Sequence, residues 1–164
     1  MSALVWVGLG GNAGDALARF AAARVALGAL GRGALVESPV YRSAPWGDPA
    51  QPFFHNQVVG LAPTQDPECL LDALQDLETA AGRCRAQERP WGPRPLDLDI
   101  LSWPGVTRAD ARLTLPHPRL AHRRFVLAPW WHVAPGLVPS GLDRTVEALL
   151  ADCPDSCWVR RCWR

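Results

Sequence analysis

The sequence predicts an α+β fold, a ferredoxin-like β-α-β-β-α-β core with a mainly antiparallel sheet and a C-terminal helical extension, on three observations. Apolar runs at residues 3–8, 34–41, 54–61 and 96–103 have the length and composition of strands. Two stretches, 15–30 and the segment opened by Asp66, carry apolar residues at helical spacing. The helices follow the first and third strands, whereas only a loop separates the second from the third.

The first strand, 3–8, runs into a glycine turn, and the helix after it places Leu17, Phe20, Ala21 and Val25 on one face. A second strand over 34–41 ends at a loop, 43–52, that holds three prolines and a glycine. The third strand covers 54–61. Asp66-Pro67-Glu68 is a helix start with an N-cap, proline at the first helical position and an acid in the first turn; Leu70, Leu71, Leu74 and Leu77 form the apolar stripe behind it. Residues 82–95 are polar, basic and irregular, a second mobile loop leading into the strand at 96–103. The extension has helical stretches at 121–132 and 144–151 among prolines, and the last ten residues are expected to fray.

At 164 residues the chain is read as one domain, 1–164, large enough to bury roughly 70% of its unfolded surface. Hydrophobic residues make up 48% and charged residues 20%, and no apolar run approaches the ~20 residues of a membrane span. The first residues lack the basic flank and cleavage site of a signal peptide, so the expected location is the cytoplasm. The net charge of +1 argues against coating nucleic acid, yet all 17 basic residues are arginine. Arg83, Arg85, Arg89 and Arg94 precede a pair of aspartates, and Arg119, Arg123 and Arg124 follow His117. Guanidinium forks suit phosphate oxygens, and a polyphosphate ligand would use both groups; a solvated basic loop is the other reading. Five cysteines without a C-x-x-C pair support neither a disulfide framework nor a zinc site.

The aspartates lie in Gly92-Pro93-Arg94-Pro95-Leu96-Asp97-Leu98-Asp99-Ile100-Leu101. In a strand, Asp97 and Asp99 share one face while Leu96, Leu98 and Ile100 share the other. Two adjacent carboxylates repel; a hard divalent cation between them removes the repulsion and can hold phosphate oxygens. Two solvated acids on a half-exposed strand also fit this spacing. Phe54 and Asn56 share a face of the third strand, and with Phe125 they would sandwich a planar heterocycle while Asn56 bonds its edge. Core packing is the plainer role for both phenylalanines. Trp46 and Trp91 stand in the two long loops, where burial without a ligand is hard to arrange, and His117 is fixed between two prolines. The glycines of Gly8-Leu9-Gly10-Gly11-Asn12-Ala13-Gly14 come close to a dinucleotide fingerprint, but the further parallel β-α units of such a fold are missing.

Six segments in order carry a resemblance over nearly the whole chain. They are Gly8-Leu9-Gly10-Gly11-Asn12, Tyr41-Arg42-Ser43-Ala44-Pro45-Trp46-Gly47, Gln51-Pro52-Phe53-Phe54-His55-Asn56, Gly82-Arg83, the aspartate segment, and Leu115-Pro116-His117-Pro118-Arg119 running to Arg123-Arg124-Phe125-Val126-Leu127. On these the chain resembles the 6-hydroxymethyl-7,8-dihydropterin pyrophosphokinases of folate biosynthesis, which move pyrophosphate from ATP to a pterin alcohol and release AMP. The resemblance implies that Asp97 and Asp99 hold two Mg²⁺ ions along the triphosphate and that Arg83 and Arg94 clamp phosphates as catalytic groups. It further implies ATP contacts from Gln75, Glu78, Arg89, His117 and Arg123. The pterin would be held by Ser43, Ala44, Trp46, Phe54, Asn56, Trp91 and Phe125, and loops 43–52 and 83–95 would close over both substrates. A monomer acting on small molecules, without nucleic acid or membrane, is expected. Three departures from the family pattern stand out: one extra residue, Pro90, between Arg83 and Arg94; phenylalanine at position 54, where one member has tyrosine; and Ser43-Ala44 in place of threonine-proline.

Two other readings use the same features. A metal-dependent nucleotidyltransferase also pairs aspartates on a sheet but places its glycine turn close before them, whereas here they lie about 85 residues apart. A ferredoxin-like RNA-binding module would need strand aromatics in an RNP pattern and a basic sheet face, and neither is present.

Overall fold

A computed structural model describes residues 3–162; Met1, Ser2, Trp163 and Arg164, which enter the readings of the two ends, lie outside the described residues. The predicted core order is present. Strand β1 (Val5–Gly11) is followed by α1 (Ala16–Ala29), β2 (Gly31–Glu37), β3 (Tyr41–Ser43), β4 (Phe54–Pro63), α2 (Pro67–Ala80) and β5 (Asp97–Ser102). Two short strands, β6 (Arg108–Ala109) and β7 (Thr114–Leu115), pair with each other, and α3 (Arg124–Val133), α4 (Val146–Ala151) and β8 (Val159–Arg161) complete the chain. The main sheet runs β5-β1-β4-β3-β8, with β2 also on β4, and every pairing is antiparallel.

Local chemistry explains the helix ends. Asp15 accepts a bond from the Ala18 N–H to cap α1, Asp66 does the same for Cys69 ahead of Pro67 in α2, and Thr145 caps α4 through Ala148. The sheet is covered on both faces. Val5, Val7, Leu9, Val59, Leu61, Leu98 and Ile100 pack against Phe20 and Leu27 of α1 and Leu70 and Leu74 of α2. Trp6, Val58 and Leu101 turn the other way, onto Val126, Leu127 and Trp130 of α3 and Val146 and Leu149 of α4. This period-2 division leaves Asp97 and Asp99 on the α3 face.

Two expectations are corrected. The strand expected over 34–41 divides into β2 and β3, because Pro39 has no N–H for the ladder and the Ser38 hydroxyl takes over the Val58 N–H at 3.0 Å. The tail expected to fray instead adds β8, paired with β3 as Tyr41↔Arg161, Arg42↔Arg160 and Ser43↔Val159. The open edge of β3, rather than strand propensity in the tail, dictates this pairing. Among the described residues no helix is long and apolar enough to cross a membrane.

Candidate active site

The floor of the site is three strands wide. Gly10 of β1 lies directly opposite Asn56 of β4 on one side and Asp97 of β5 on the other, and Gly8 is likewise opposite Asp99. A side chain on β1 would stand between the acids and the amide; glycine leaves a trough. A Cβ at Gly10 would meet nothing closer than 3.9 Å, so the position has room for one and leaves it empty. Gly11 differs, since its Cβ would come within 2.7 Å of the Pro95 carbonyl oxygen. The glycine turn therefore lets the backbone at 94–95 close onto the end of β1.

That contact is tied by Asn12, which is buried. Its Oδ1 accepts from the Arg94 N–H at 2.9 Å, and its Nδ2 donates to Gln51 Oε1 and the Pro52 carbonyl at 3.0 and 2.9 Å. Gln51 in turn donates to the Trp91 carbonyl at 2.7 Å. One amide pair thus joins both long loops to the sheet. The loops also meet through Trp46 and Trp91, with ring centres 5.9 Å apart, and through the Arg89–Asp48 ion pair at 2.8 Å. Trp91 sits at φ 62°, a region that residues other than glycine rarely adopt.

Above the floor is a cavity of about 330 Å³. Its wall contains all seven residues expected around a pterin: Ser43, Ala44, Trp46, Phe54, Asn56, Trp91 and Phe125. Trp46 meets Phe125 edge to face at 5.7 Å, and Asn56 Nδ2 donates to Ser43 Oγ at 3.0 Å. Arg94, Asp97, Arg119 and Arg123 line the other side. Arg94 Nη1 pairs with Asp97 Oδ2, and Arg123 Nη1 with Asp99 Oδ2, each at 2.9 Å. The His117 backbone N–H bonds the Leu101 carbonyl on the outer edge of β5, which holds its Nε2 at 3.6 Å from Asp99 Oδ2. Burial lowers the His117 pKa against the opposing pull of Asp99, with Arg123 adding to the depression. Burial raises the Asp97 pKa, but Arg83 and Arg94 outweigh it and hold the carboxyl below its ordinary value.

The remaining expected nucleotide residues lie elsewhere. Arg83 does not line the cavity; only 7% exposed, it gives Nη1 to Glu78 at 2.8 Å and to Asp97 at 2.5 Å, and Nε to Glu88 at 2.5 Å. Three carboxylates raise its pKa against the opposing effect of burial. Glu78, 1% exposed, accepts from Arg83, from Arg85 and from the Leu98 N–H on the unpaired edge of β5, the last at 2.7 Å. It secures the strand that bears the aspartates, although burial raises its own pKa. Gln75 is exposed on α2, and Arg89 is engaged with Asp48 outside the cavity wall. Arg119, expected with Arg123 and Arg124 to meet phosphates, has its guanidinium 5.2 Å from the centre of a Trp91 ring. Sequence reasoning gave no role of their own to Asn12, Gln51 and Glu88. Only the asparagine and glutamine stood within segments already singled out.

Among the described residues no three His, Cys, Asp or Glu side chains cluster as a ready metal site. Two carboxylates alone remain. Filling the floor should test the trough directly: Gly10→Ala is expected to fold with unchanged melting temperature yet weaken pterin binding at least about tenfold, measured by calorimetry.

Known proteins match this chain closely. The family model for 7,8-dihydro-6-hydroxymethylpterin-pyrophosphokinase matches residues 6–135. A 2-amino-4-hydroxy-6-hydroxymethyldihydropteridine pyrophosphokinase of Methylorubrum extorquens is 42% identical over 147 residues, covering 89% of this chain and 90% of its own. The protein of that name from Pseudomonas aeruginosa is 42% identical over 152 residues, covering 92% and 91%. Among solved structures, wild-type Plasmodium falciparum HPPK-DHPS with pteroate superposes with a TM-score of 0.67 at 14% identity, over 91% of this chain and 42% of that one. The chain spans less than half the length of that structure, and the likeness there is one of fold.

Proposed function

The chain belongs to the 7,8-dihydro-6-hydroxymethylpterin-pyrophosphokinase family, and from that premise we propose how its cavity carries out the family's reaction. The protein is an ATP-dependent diphosphotransferase that moves pyrophosphate from ATP to hydroxymethyldihydropterin in folate biosynthesis. One observation carries the residue assignment. Asp97 faces Asn56 across the bare Gly10 of β1, with Phe54 in the same cavity wall and Asp99 two residues along β5, so a pterin on one side of the trough brings its hydroxyl towards phosphates on the other.

On the pterin side, Phe54, Trp46 and Phe125 offer ring faces and edges to a flat heterocycle, and Asn56, fixed by Ser43, reads its edge. On the phosphate side, Arg94, Arg119 and Arg123 present three guanidiniums to the cavity. The pterin hydroxyl attacks the β-phosphorus, and the bond to the α-phosphate oxygen breaks. Arginine donors stabilise the charge that develops on departing AMP. Arg83 acts as a positioning residue, holding Asp97 in place from beneath. Loops 43–52 and 83–95, joined through Asn12 and Gln51, keep water from the reacting phosphate.

Asp97 and Asp99 are a fitting donor set for Mg²⁺, which takes oxygen ligands and is commonly held by one or two carboxylates with substrate phosphates and water supplying the rest. When bound, Mg²⁺ would neutralise charge on the transferring phosphates; two ions along the triphosphate are proposed.

ATP labelled at the γ-phosphate tests the reaction. The expected products are unlabelled AMP and a pterin diphosphate carrying the label. Label in free pyrophosphate with an adenylated pterin, or a monophosphorylated pterin alongside ADP, would overturn the assignment. The pterin subsite is tested separately. Phe54→Ala or Asn56→Ala is expected to weaken pterin binding by about 1–3 kcal/mol and leave ATP binding nearly intact in calorimetric titration. Equal losses for both ligands would indicate a folding defect instead.

A further inference from the structure

The tail brings a second group of arginines and aromatic rings to the back of the sheet. Tyr41 and Ser43 face the catalytic side, since the Tyr41 hydroxyl lies 3.4 Å from His132 Nδ1 on α3 and Ser43 meets Asn56. Arg42, between them, points to the opposite face. Strand register puts His55 of β4 opposite Arg42 of β3, and Arg42 opposite Arg160 of β8. Two guanidiniums, Arg42 and Arg160, thus stand directly opposite each other on neighbouring strands, and burial together with Arg42 lowers the pKa of the flanking His55 against the opposing pull of Asp15. Like charges directly opposite each other destabilise a sheet. Neither Arg42 nor Arg160 has a carboxylate partner among the described residues, and the buried His55 Nδ1 has no hydrogen-bond partner.

What these arginines do have is aromatic surface. Arg42 lies 5.0 Å from the centre of the Phe53 ring, Arg160 lies 5.8 Å from Trp158, and Phe53 meets Trp158 edge to face at 5.0 Å. Both rings are substantially exposed, at 47% and 38%. Together with Arg161 and Cys162 they line a cleft of about 550 Å³, within the range of small-molecule sites. A guanidinium row lacking acid partners calls for an anion; exposed rings beside it call for a flat apolar group.

We propose that this back-face cleft is a second ligand site, separate from the catalytic cavity, for a flat heteroaromatic molecule carrying a multiply charged anionic group. A nucleoside phosphate and a pterin diphosphate share that chemistry. The row Arg42–Arg160 takes the anion, and Phe53 and Trp158 take the ring. Equilibrium dialysis of the full-length enzyme tests this, with radiolabelled ATP as the probe in one arm and pterin diphosphate in the other. Binding above one equivalent per chain is expected in at least one arm, and that arm identifies the source. The double substitution Arg42→Ala/Arg160→Ala should return binding to one equivalent while turnover and melting temperature hold. Arg160→Gln, a milder change at the exposed edge, should weaken the second equivalent at least about tenfold. A single equivalent in both arms, or a second one that survives both sets of substitutions, would overturn the site.

Discussion

Asp97→Ala is expected to lower kcat about a thousandfold or more while changing stability by less than about 1.5 kcal/mol. The catalytic loss follows from removing the carboxylate that, among the described residues, lines the cavity beside Arg94, Arg119 and Arg123, with Asp99 two residues along the same face of β5. The small structural cost follows from what stays behind. Arg83 keeps Glu78 and Glu88 as partners, and Arg94, about a third exposed, turns to solvent. Asp99→Ala should behave similarly, with Arg123 and His117 losing a partner at a partly exposed position. Steady-state kinetics beside urea denaturation measures both quantities; near-normal turnover in Asp97→Ala would remove the acid from the chemistry.

Glu78→Ala is expected to show the reverse balance, losing about 3–5 kcal/mol of stability in urea unfolding. The carboxylate is 1% exposed and accepts from two arginines and from the Leu98 N–H. Removing it leaves a buried N–H without an acceptor and takes one of three partners from a buried guanidinium. Glu78→Gln retains a carbonyl acceptor of the same shape and should cost markedly less. Activity should fall in Glu78→Ala even where the protein is folded, because Leu98 lies between the two aspartates. A destabilisation below about 1 kcal/mol would show that the edge of β5 is secured in some other way.

Much of this arrangement was legible in the sequence because it depends on local periodicity. Alternation alone places Asp97 and Asp99 on one face and Leu98 and Ile100 in the core, and the structure agrees. The N-cap and proline at Asp66-Pro67 similarly mark the start of α2. Strand alternation suggests Phe54 and Asn56, with Phe125, as holders of a flat heterocycle, but the ligand's identity as a pterin and the places of Ser43 and Ala44 come only through the family resemblance, since four separate segments contribute to one wall. Features made by long-range contact left no local signal. Gly10 becomes a floor only once β1 lies between β4 and β5, and Asn12 becomes a tie only when Gln51 and the Arg94 backbone reach it. Burial explains why Arg83 and Glu78 form structure beneath the site rather than line it: their charges are satisfied by each other before any nucleotide arrives. The tail strand was missed because Val159–Arg161 has little strand character of its own and pairs on the free edge of β3.

In the proposed reaction the two carboxylates on β5 would hold a metal ion only together with the phosphates of the nucleotide. Electron paramagnetic resonance of Mn²⁺, an oxygen-seeking substitute for Mg²⁺, measures this directly when the enzyme is titrated with and without a non-hydrolysable ATP analogue. With no third ligand clustered at Asp97 and Asp99 among the described residues, the expected result is weak binding by the protein alone. Binding should tighten strongly once the nucleotide is added, and Asp97→Asn and Asp99→Asn should each abolish that gain. Tight Mn²⁺ binding without nucleotide, or a nucleotide-dependent gain that survives both substitutions, would contradict it.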